Sequence, residues 1–583
     1  MIHYMCKYSP VEIFRGFGEE VCLADPDADS FEQAESLAHS NLCGYGKGFL
    51  ETAMDPSVEK MVLVSCCDVV RRLYDVLRLN KRMEFLYLLD LPHKTGEAEA
   101  KYLAARLEEM VRSFEESSGK HFDYRCVIPF CNIDEDSSCG TCENCAPGQD
   151  VPPEQPERPD GVLHLPEDGE SVISLLGAHG GAGFRDAVQS HFVSRVRDDT
   201  CSGNRLVRLR RMPADEKDFF RLYAEGLLGQ IPCMRMLSGT DRGKLPENAR
   251  AVIYHTMKFC DYYSFEYARL KDSIGIPLLK IETDGTSQSA GQLATRLDAF
   301  AESIGETAGL RRHSTEGKGK NGMGQYFAGI DSGSASTDVV IMDRNRKIVS
   351  RSIKPTGMGA SAGAEKALAE ALQDAGLTDA DLAGVVTTGY GRNNIGGGDR
   401  SVTEITCHAK GAFFLDPEVR TVIDIGGQDS KVIRIDEKGN VVNFVMNDKC
   451  AAGTGRFLET MAKTMEMTLP EMSELGRKWK DEVTISSMCT VFAESEVVSL
   501  IAANTPPADI IHGINSSVAS KTASLVKRVG GSPVFMMTGG VSANAGLVQV
   551  LEKKLGHKII VSEYAQLCGA IGAALLALEQ AES

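Results

Sequence analysis

Short apolar runs closed by Gly-, Ser- or Asp-rich turns recur along the chain, and stretches of helical propensity lie between them. VISLLGAHGGAGFRDAV (172–188) reads as a buried strand, a tight turn and a helix, and AVIYHTMKF (251–259) and IPLLKIETD (276–284) as further core segments. Further on, YFAGIDSGSASTDVVIMDRNRKIVSRSIKPT (326–356) holds three β-rich runs, the first ending in Asp331 before a small-residue turn. The same layout returns in TVIDIGGQDSKVIRIDEKGNVVNFVM (421–446), with Asp424 in the place of Asp331. ASAGAEKALAEALQDAG (360–376) is helical in propensity and LAGVVTTGYG (382–391) strand-like, so each copy mixes helix and sheet. The pattern predicts an α/β chain whose C-terminal half is an internal duplication, two lobes facing one cleft.

Length and composition bound the rest. At 583 residues the chain exceeds one ordinary core and predicts several domains or subdomains. Lys plus Arg number 63 against 81 Asp plus Glu, a net charge of -18, which disfavours a general nucleic-acid or anionic-membrane surface. No apolar run approaches the ~18 residues of a membrane span, and the opening MIHYMCKYSP lacks the layout of a signal peptide. A cytoplasmic protein with reduced thiols is the expectation.

The 17 cysteines then become the informative residues, as metal ligands or core thiols rather than disulfides. Thirteen precede residue 313; only Cys407, Cys450, Cys489 and Cys568 follow it. The polar, Gly-rich segment 310–325 reads as a linker between a 1–309 half and a 326–583 half. The Pro- and acid-rich stretch 146–161 reads as an insertion dividing the first half into subdomains of about 1–160 and 161–309. Gly177, Gly180, Gly181 and Gly183 miss the G-x-G-x-x-G spacing, so a tight βα turn is preferred there to a nucleotide site.

In the second half, turns of small residues let backbone N–H groups approach phosphate oxygens, and the aspartates can hold Mg²⁺ through water. The candidate residues are Asp331, Ser332, Gly333, Ser334, Ser336 and Thr337 in the first hairpin, and Asp424, Gly426, Gly427, Gln428 and Asp429 in the second. FMMTGGVSANAG (535–546) is a third strand and turn, whose Gly539, Gly540 and Asn544 would admit a base and ribose. With GIDSGSASTD, TTGYGR, DIGGQDSK, NDKCAAGTGRF and MCTVFAESEV, this half resembles the ATP-dependent activators of 2-hydroxyacyl-CoA dehydratases and the benzoyl-CoA reductase ATPase subunits. These lie within the actin, sugar-kinase and heat-shock-chaperone superfamily. Cys450 and Cys489 each precede a plausible helix, where the dipole and free N–H groups favour a thiolate. Two cysteines cannot complete a 4Fe-4S cluster, but a twofold pair of chains supplies four. The resemblance likewise implies a cluster bridging a homodimer, its geometry altered by nucleotide state. Cys407 and Cys568 match no motif and read as packing.

MIHYMCKYSPVEIFRGFG, HSNLCGYGKGFLE, LVSCCDVVRRLYD, QIPCMRM and YHTMKFCDYYSFEY make the first half similar to 2-hydroxyacyl-CoA dehydratase subunits, in particular to their double-cubane cluster branch. The resemblance implies two Rossmann-like subdomains around an iron-sulfur cluster. Cys6, Cys43, Cys66, Cys67, Cys233 and Cys260 sit beside turns or at the ends of apolar runs. Three of them would serve a 4Fe-4S site and all six an 8Fe-9S double cubane. Cys139, Cys142 and Cys145 follow a C-x2-C-x2-C run without the usual fourth cysteine, so Cys126 or Cys131 would close an accessory iron-sulfur or zinc site. Cys22 and Cys201 read as packing. His179, Glu266 and Tyr267 are acid-base candidates by type only, each more readily structural.

Together the halves read as an ATP-dependent, low-potential reductase for a small molecule or acyl-CoA. ATP, Mg²⁺ and two clusters are its cofactors, with a ferredoxin or flavodoxin as donor. Two alternatives stay open at this point: a 2-hydroxyacyl-CoA dehydratase component with its own activator, and a cluster-sensing regulatory or maturation ATPase.

Overall fold

The computed structural model describes residues 1–24, 30–39, 41–133, 171–203, 205–236, 245–285, 290–306, 325–357, 359–447, 451–486 and 489–582. Contacts divide the chain into two units, Met1–Ala294 and Thr295–Ser583. The linker reading for 310–325 falls on residues outside this description, apart from Gln325.

The first unit is mixed α/β. Its strands in chain order are β1 (Ile2–Tyr4), β2 (Val21–Leu23), β3 (Lys60–Val64), β4 (Phe85–Leu89), β5 (Asn132–Ile133), β6 (Val172–Gly177), β7 (Arg195–Asp198), β8 (Arg208–Leu209), β9 (Ala249–Met257) and β10 (Leu278–Thr283). They form two parallel four-stranded sheets, ordered β2-β1-β3-β4 and β10-β9-β6-β7, with a small parallel pair β5-β8. Central strands such as Met61–Val64 and Ala251–Tyr254 are apolar and wholly buried, as strands covered on both faces must be. The strand, turn and helix read in 172–188 are β6 and the helix Gly181–Gln189.

Cys6, Cys66, Cys67, Cys201 and Cys260 lie in the segments that leave β1, β3, β7 and β9. A buried ion pair of Glu12 and Arg205, joined by the Tyr223 hydroxyl at 2.6 Å, fixes the loop after Cys6, since Arg205 also donates to the Ser9 carbonyl at 2.9 Å. Removing either partner would strand a buried charge, which costs about 3–5 kcal/mol.

In the second unit the strands are β11 (Tyr326–Ser332), β12 (Ser336–Asp343), β13 (Ile348–Pro355), β14 (Leu382–Thr388), β15 (Arg400–Ser401), β16 (Thr421–Ile425), β17 (Ser430–Ile435), β18 (Val441–Asn447), β19 (Phe535–Thr538) and β20 (Ile559–Ile560). The sheets run β13-β12-β11-β14-β15 and β18-β17-β16-β19-β20, one order repeated twice. β11 and β16 each pair antiparallel with the next strand and parallel with the fourth. The duplication read from the sequence is therefore a duplication of topology. The helix Ala290–Ile304, whose last ten residues fall in this unit, is tied to it by Glu302, which accepts from the Thr403 N–H at 3.0 Å.

Among the described residues no helix is long and apolar enough to cross a membrane.

Candidate functional site

The two hairpin turns of the second unit close alike: Gly333 N–H donates to the Ser336 carbonyl at 2.9 Å, and Gly426 N–H to the Asp429 carbonyl at 3.0 Å. They also face one another. A Cβ built on Gly427 would stand 2.9 Å from Ser334 Oγ and 3.1 Å from the Ala335 Cβ, so a side chain there would crowd the facing turn. Behind the turns, Asp331 and Asp424 each lie one residue before the end of their strand, both buried. Each lies under a glycine of positive φ at the end of the parallel strand: Gly389 (φ 86°) over Asp331 and Gly539 (φ 80°) over Asp424. A Cβ there would meet the carboxylate oxygens at 2.4 and 2.7 Å.

His408 stands between the aspartates, 3.7 Å from Asp331 Oδ2 and 3.6 Å from Asp424 Oδ1. The Thr538 hydroxyl donates to Asp424 at 3.0 Å. Lys431 reaches Asp429, Asp424 and Glu404 at 2.9, 3.1 and 3.2 Å. Burial, with repulsion from Asp338, Glu404 and Asp424, raises the Asp331 carboxyl well above the usual range, and burial pushes Asp338 and Glu404 up to about 7. Asp424 is held low despite its burial, by His408 and Lys431. Five acids against one lysine leave this pocket short of positive charge, which fits a hydrated divalent cation. Among the described residues no three His, Cys, Asp or Glu side chains converge to cage a bare ion; coordination through water needs no such cage.

Of the remaining predicted residues, Thr337 shares a 3.1 Å hydroxyl contact with Thr356, which donates to the Gly333 carbonyl at 2.8 Å. Ser332 is buried, and Ser334 and Ser336 lie in or beside the first turn, as Gln428 lies in the second. Gly540 opens on free space. Asn544 caps the helix Ala545–Leu555 through the Leu547 N–H at 3.0 Å and donates to Asn515 at 3.2 Å.

The second turn holds a helix directly. Gly455 N–H donates to the Gly426 carbonyl at 2.9 Å and Arg456 N–H to the Gly427 carbonyl at 2.8 Å, so the helix Gly455–Thr464 begins on the second hairpin turn. At its far end Thr464 donates to Glu494 at 3.1 Å, on the helix Thr490–Ala502. Cys489 is the N-cap of that second helix, as its position before TVFAESEV predicted. Cys450 lies just outside the described residues. Cys407 and Cys568 are fully buried.

In the first unit the candidate thiols meet around Arg235. Its guanidinium lies 3.5 Å from Cys233 Sγ and 4.0 Å from Cys260 Sγ, and it acts electrostatically on Cys43, Cys66, Cys67 and Cys201. Cys6 joins through Cys66, whose thiol bonds to both Cys6 and Cys67. Cys43, Cys67 and Cys260 are all helix N-caps, of Gly44–Met54, Asp68–Asn80 and Asp261–Leu270. The thiols are nevertheless pushed up. The hydrogen bond that Cys66 donates to Cys6 raises Cys66 and the one that Cys67 donates to Cys66 raises Cys67, while burial lifts Cys43, and takes Cys260 to about 11. Among the described residues no three of these thiols converge on one metal ion; an iron-sulfur group, in which each thiolate meets a different iron, would need them only to line one space and to exchange their protons for bound positive charge.

Cys201, read as packing, is buried in the same cluster beside Cys233, with burial pushing it up to about 12. Tyr263 adds a hydroxyl 3.3 Å from Cys233 Sγ. His179 stacks on Tyr45 at 4.0 Å, buried and kept neutral by burial and by Arg235. Glu266 and Tyr267 instead pack against Tyr254. Cys22 lies half-buried on β2. Cys126 is exposed and Cys131 half-buried; Cys139, Cys142 and Cys145 lie outside the described residues, so the accessory site is not assembled among those described.

Sequence reading missed His408, Glu404, Arg235, Tyr263 and the placement of Cys201. Lys431 and Gly389 had a signal, in DIGGQDSK and in TTGYG, which mirrors MTGGV.

The chain matches the family model of the BadF/BadG/BcrA/BcrD ATPases over residues 328–577, and that of the 2-hydroxyglutaryl-CoA dehydratase D-component over 6–127 and 178–304. It is 49% identical over 257 residues to the activator of lactoyl-CoA dehydratase from Anaerotignum propionicum, covering 44% of this chain and 99% of that protein. A benzoyl-CoA reductase subunit from Thauera aromatica is 33% identical over 258 residues, 42% of this chain and 91% of that one. A solved structure, the (R)-2-hydroxyglutaryl-CoA dehydratase component A of Acidaminococcus fermentans, is 47% identical, covering 44% of this chain and all of that one, with a TM-score of 0.43.

Proposed function

Because the chain belongs to the BadF/BadG/BcrA/BcrD ATPase family and carries a dehydratase D-component match in the same polypeptide, we propose that it couples ATP hydrolysis to low-potential electron transfer. The acceptor would be a small molecule or an acyl-CoA. Cys450 and Cys489, with the same pair from a second copy, would hold a 4Fe-4S cluster. Cys6, Cys43, Cys66, Cys67, Cys233 and Cys260 would hold the second, as 4Fe-4S or an 8Fe-9S double cubane. Such clusters supply one-electron chemistry at potentials reaching about -700 mV.

One observation carries the reading: the phosphate turn at Gly426 and Gly427 is hydrogen-bonded to the start of the helix that follows Cys450. When the turns close on a polyphosphate, a shift of Gly427 moves Gly455 and Arg456 with it. Through Thr464 and Glu494 it also reaches the helix capped by Cys489. Asp331, Asp424 and the charge of Lys431 would orient the phosphates and the hydrated Mg²⁺.

A homodimer has its own support. Beside Cys489, Val491 and Phe492 are each 65% exposed and Val498 52%, an apolar helix face that a second copy would cover. A ferredoxin or flavodoxin would be the electron donor. The D-component match also favours a second reading, a 2-hydroxyacyl-CoA dehydratase component in which the electron is recycled.

The test uses the full chain, reconstituted anaerobically with iron and sulfide and supplied with a low-potential donor. ATP should drive electrons to an added acceptor, and Cys489→Ala should stop this while leaving nucleotide binding intact. ATP turnover without electron delivery would instead favour the regulatory ATPase.

A further inference from the structure

Within the first unit a cavity of about 450 Å³ opens between β7, β8 and the end of the helix Glu216–Leu228, lined by Arg197, Arg208, Arg210, Glu225 and Gln230 over an apolar floor that includes Leu206. In a chain of net charge -18 a cavity with three guanidinium groups and one carboxylate stands out. The strand period explains how it arises. Leu209 is fully buried, so Arg208 and Arg210 on either side of it share the opposite face.

The polar groups of the wall are not equally free. Arg197 Nε lies 2.9 Å from Asp199 and Arg210 Nε 3.2 Å from Glu225. Gln230 is committed to the backbone, accepting from the Leu206 N–H at 3.1 Å and donating to the Leu227 and Lys7 carbonyls at 3.0 and 3.3 Å. No carboxylate among the described residues pairs with Arg208. Recognition therefore falls to guanidinium forks, whose planar donor pairs match phosphate oxygens. The cavity falls within the usual size range of small-molecule sites and has room for more than one phosphate.

We propose that this cavity binds the diphosphate of a small molecule, with Arg208 as the principal contact and Arg197 and Arg210 flanking it. The proposal does not depend on the electron-transfer reading. The diphosphate can belong to a coenzyme A thioester or to a free nucleotide, and the experiment separates the two.

Calorimetric titration of the full chain, its ATPase site first saturated with a nonhydrolysable ATP analogue, should show one saturable site for inorganic pyrophosphate. Arg208→Ser should weaken that binding about tenfold or more. Arg211→Ser should leave it unchanged, because Arg211 is paired with Asp218 at 2.6 Å and does not line the cavity. Glu225→Gln should tighten it by releasing Arg210. Displacement of pyrophosphate by coenzyme A would support the site with a thioester as its source, and displacement by ADP alone would support it with a nucleotide. Arg208 is exposed, so its variant should melt as the parent does, and an unchanged melt keeps the comparison valid. No saturable binding of pyrophosphate, coenzyme A or ADP at millimolar concentration would overturn the proposal, as would binding indifferent to Arg208→Ser.

Discussion

Asp338 and Lys431 hold the same register position in the two copies of the repeated hairpin: Asp338 pairs with Asp331, and Lys431 with Asp424. One copy thus places two carboxylates side by side while the other neutralises its own. Burial pushes Asp338 up to about 7, so the folded chain keeps a proton that the unfolded chain releases near pH 4. Between about pH 4 and pH 7 the unfolded state binds fewer protons, and stability falls as pH rises, by up to about 1.4 kcal/mol per pH unit for one such group. Thermal melts of nucleotide-free Asp338→Asn should lose less stability across that window than the parent. Glu404, also pushed up to about 7, keeps part of the slope. An unchanged slope would mean that Asp338 is ionised in the fold.

Gly427→Ala places a methyl group against Ser334 and Ala335 in the facing turn. The hairpins must separate by a few tenths of an ångström, and affinity for an ATP analogue should drop about tenfold while the circular dichroism spectrum is kept. Calorimetry with the nonhydrolysable analogue measures this directly.

Glu302 caps the helix Glu404–Leu415, accepting from the Thr403 N–H and from the hydroxyls of Thr403 and Thr406. Gln has one acceptor oxygen where Glu has two, so Glu302→Gln should cost about 1 kcal/mol of stability. Because that helix carries Glu404 and His408, ATP affinity should fall as well. Loss of stability alone would confine Glu302 to a structural part.

The exposed face beside Cys489 gives a prediction for assembly. Val491→Asp with Phe492→Ser should yield a monomer by light scattering and lower the iron retained by the second unit, with ATP-analogue binding unchanged.

Iron analysis separates the thiols of the first unit. Cys67→Ser and Cys260→Ser should each lower bound iron, whereas Cys22→Ser, on the edge strand β2, should not. Cys201→Ser decides whether its place beside Cys233 makes it a ligand or a neighbour.

The local motifs were legible because the turns at Gly333 and Gly426 and the strand and turn at 172–181 are marked by small residues, and because Cys489 directly precedes a stretch of helical propensity. The duplication itself followed from Asp331 and Asp424 holding equivalent places before the two turns, whereas the sheet order came from the structure. What could not be read comes from elements distant in the chain and unmarked by composition. His408 and Glu404 arrive on a helix with no glycine signature, and Arg235 lies in QIPCMRM, where only the cysteine drew notice. Cys201 follows β7 with no turn motif to set it apart from a core thiol. The burial that the structure shows for it fits packing and a ligand in a closed cleft alike.

The tie between Gly426–Gly427 and Gly455–Arg456 consists of main-chain bonds alone. No side-chain deletion removes it, so alanine scanning at any position but the glycines themselves would leave the tie between turn and helix in place. Proline at residue 455 or at residue 456, or an ester in place of either peptide, would each remove one of the two bonds. The two amide protons are also a built-in gauge, since their exchange with solvent records whether the turn and helix move as one body.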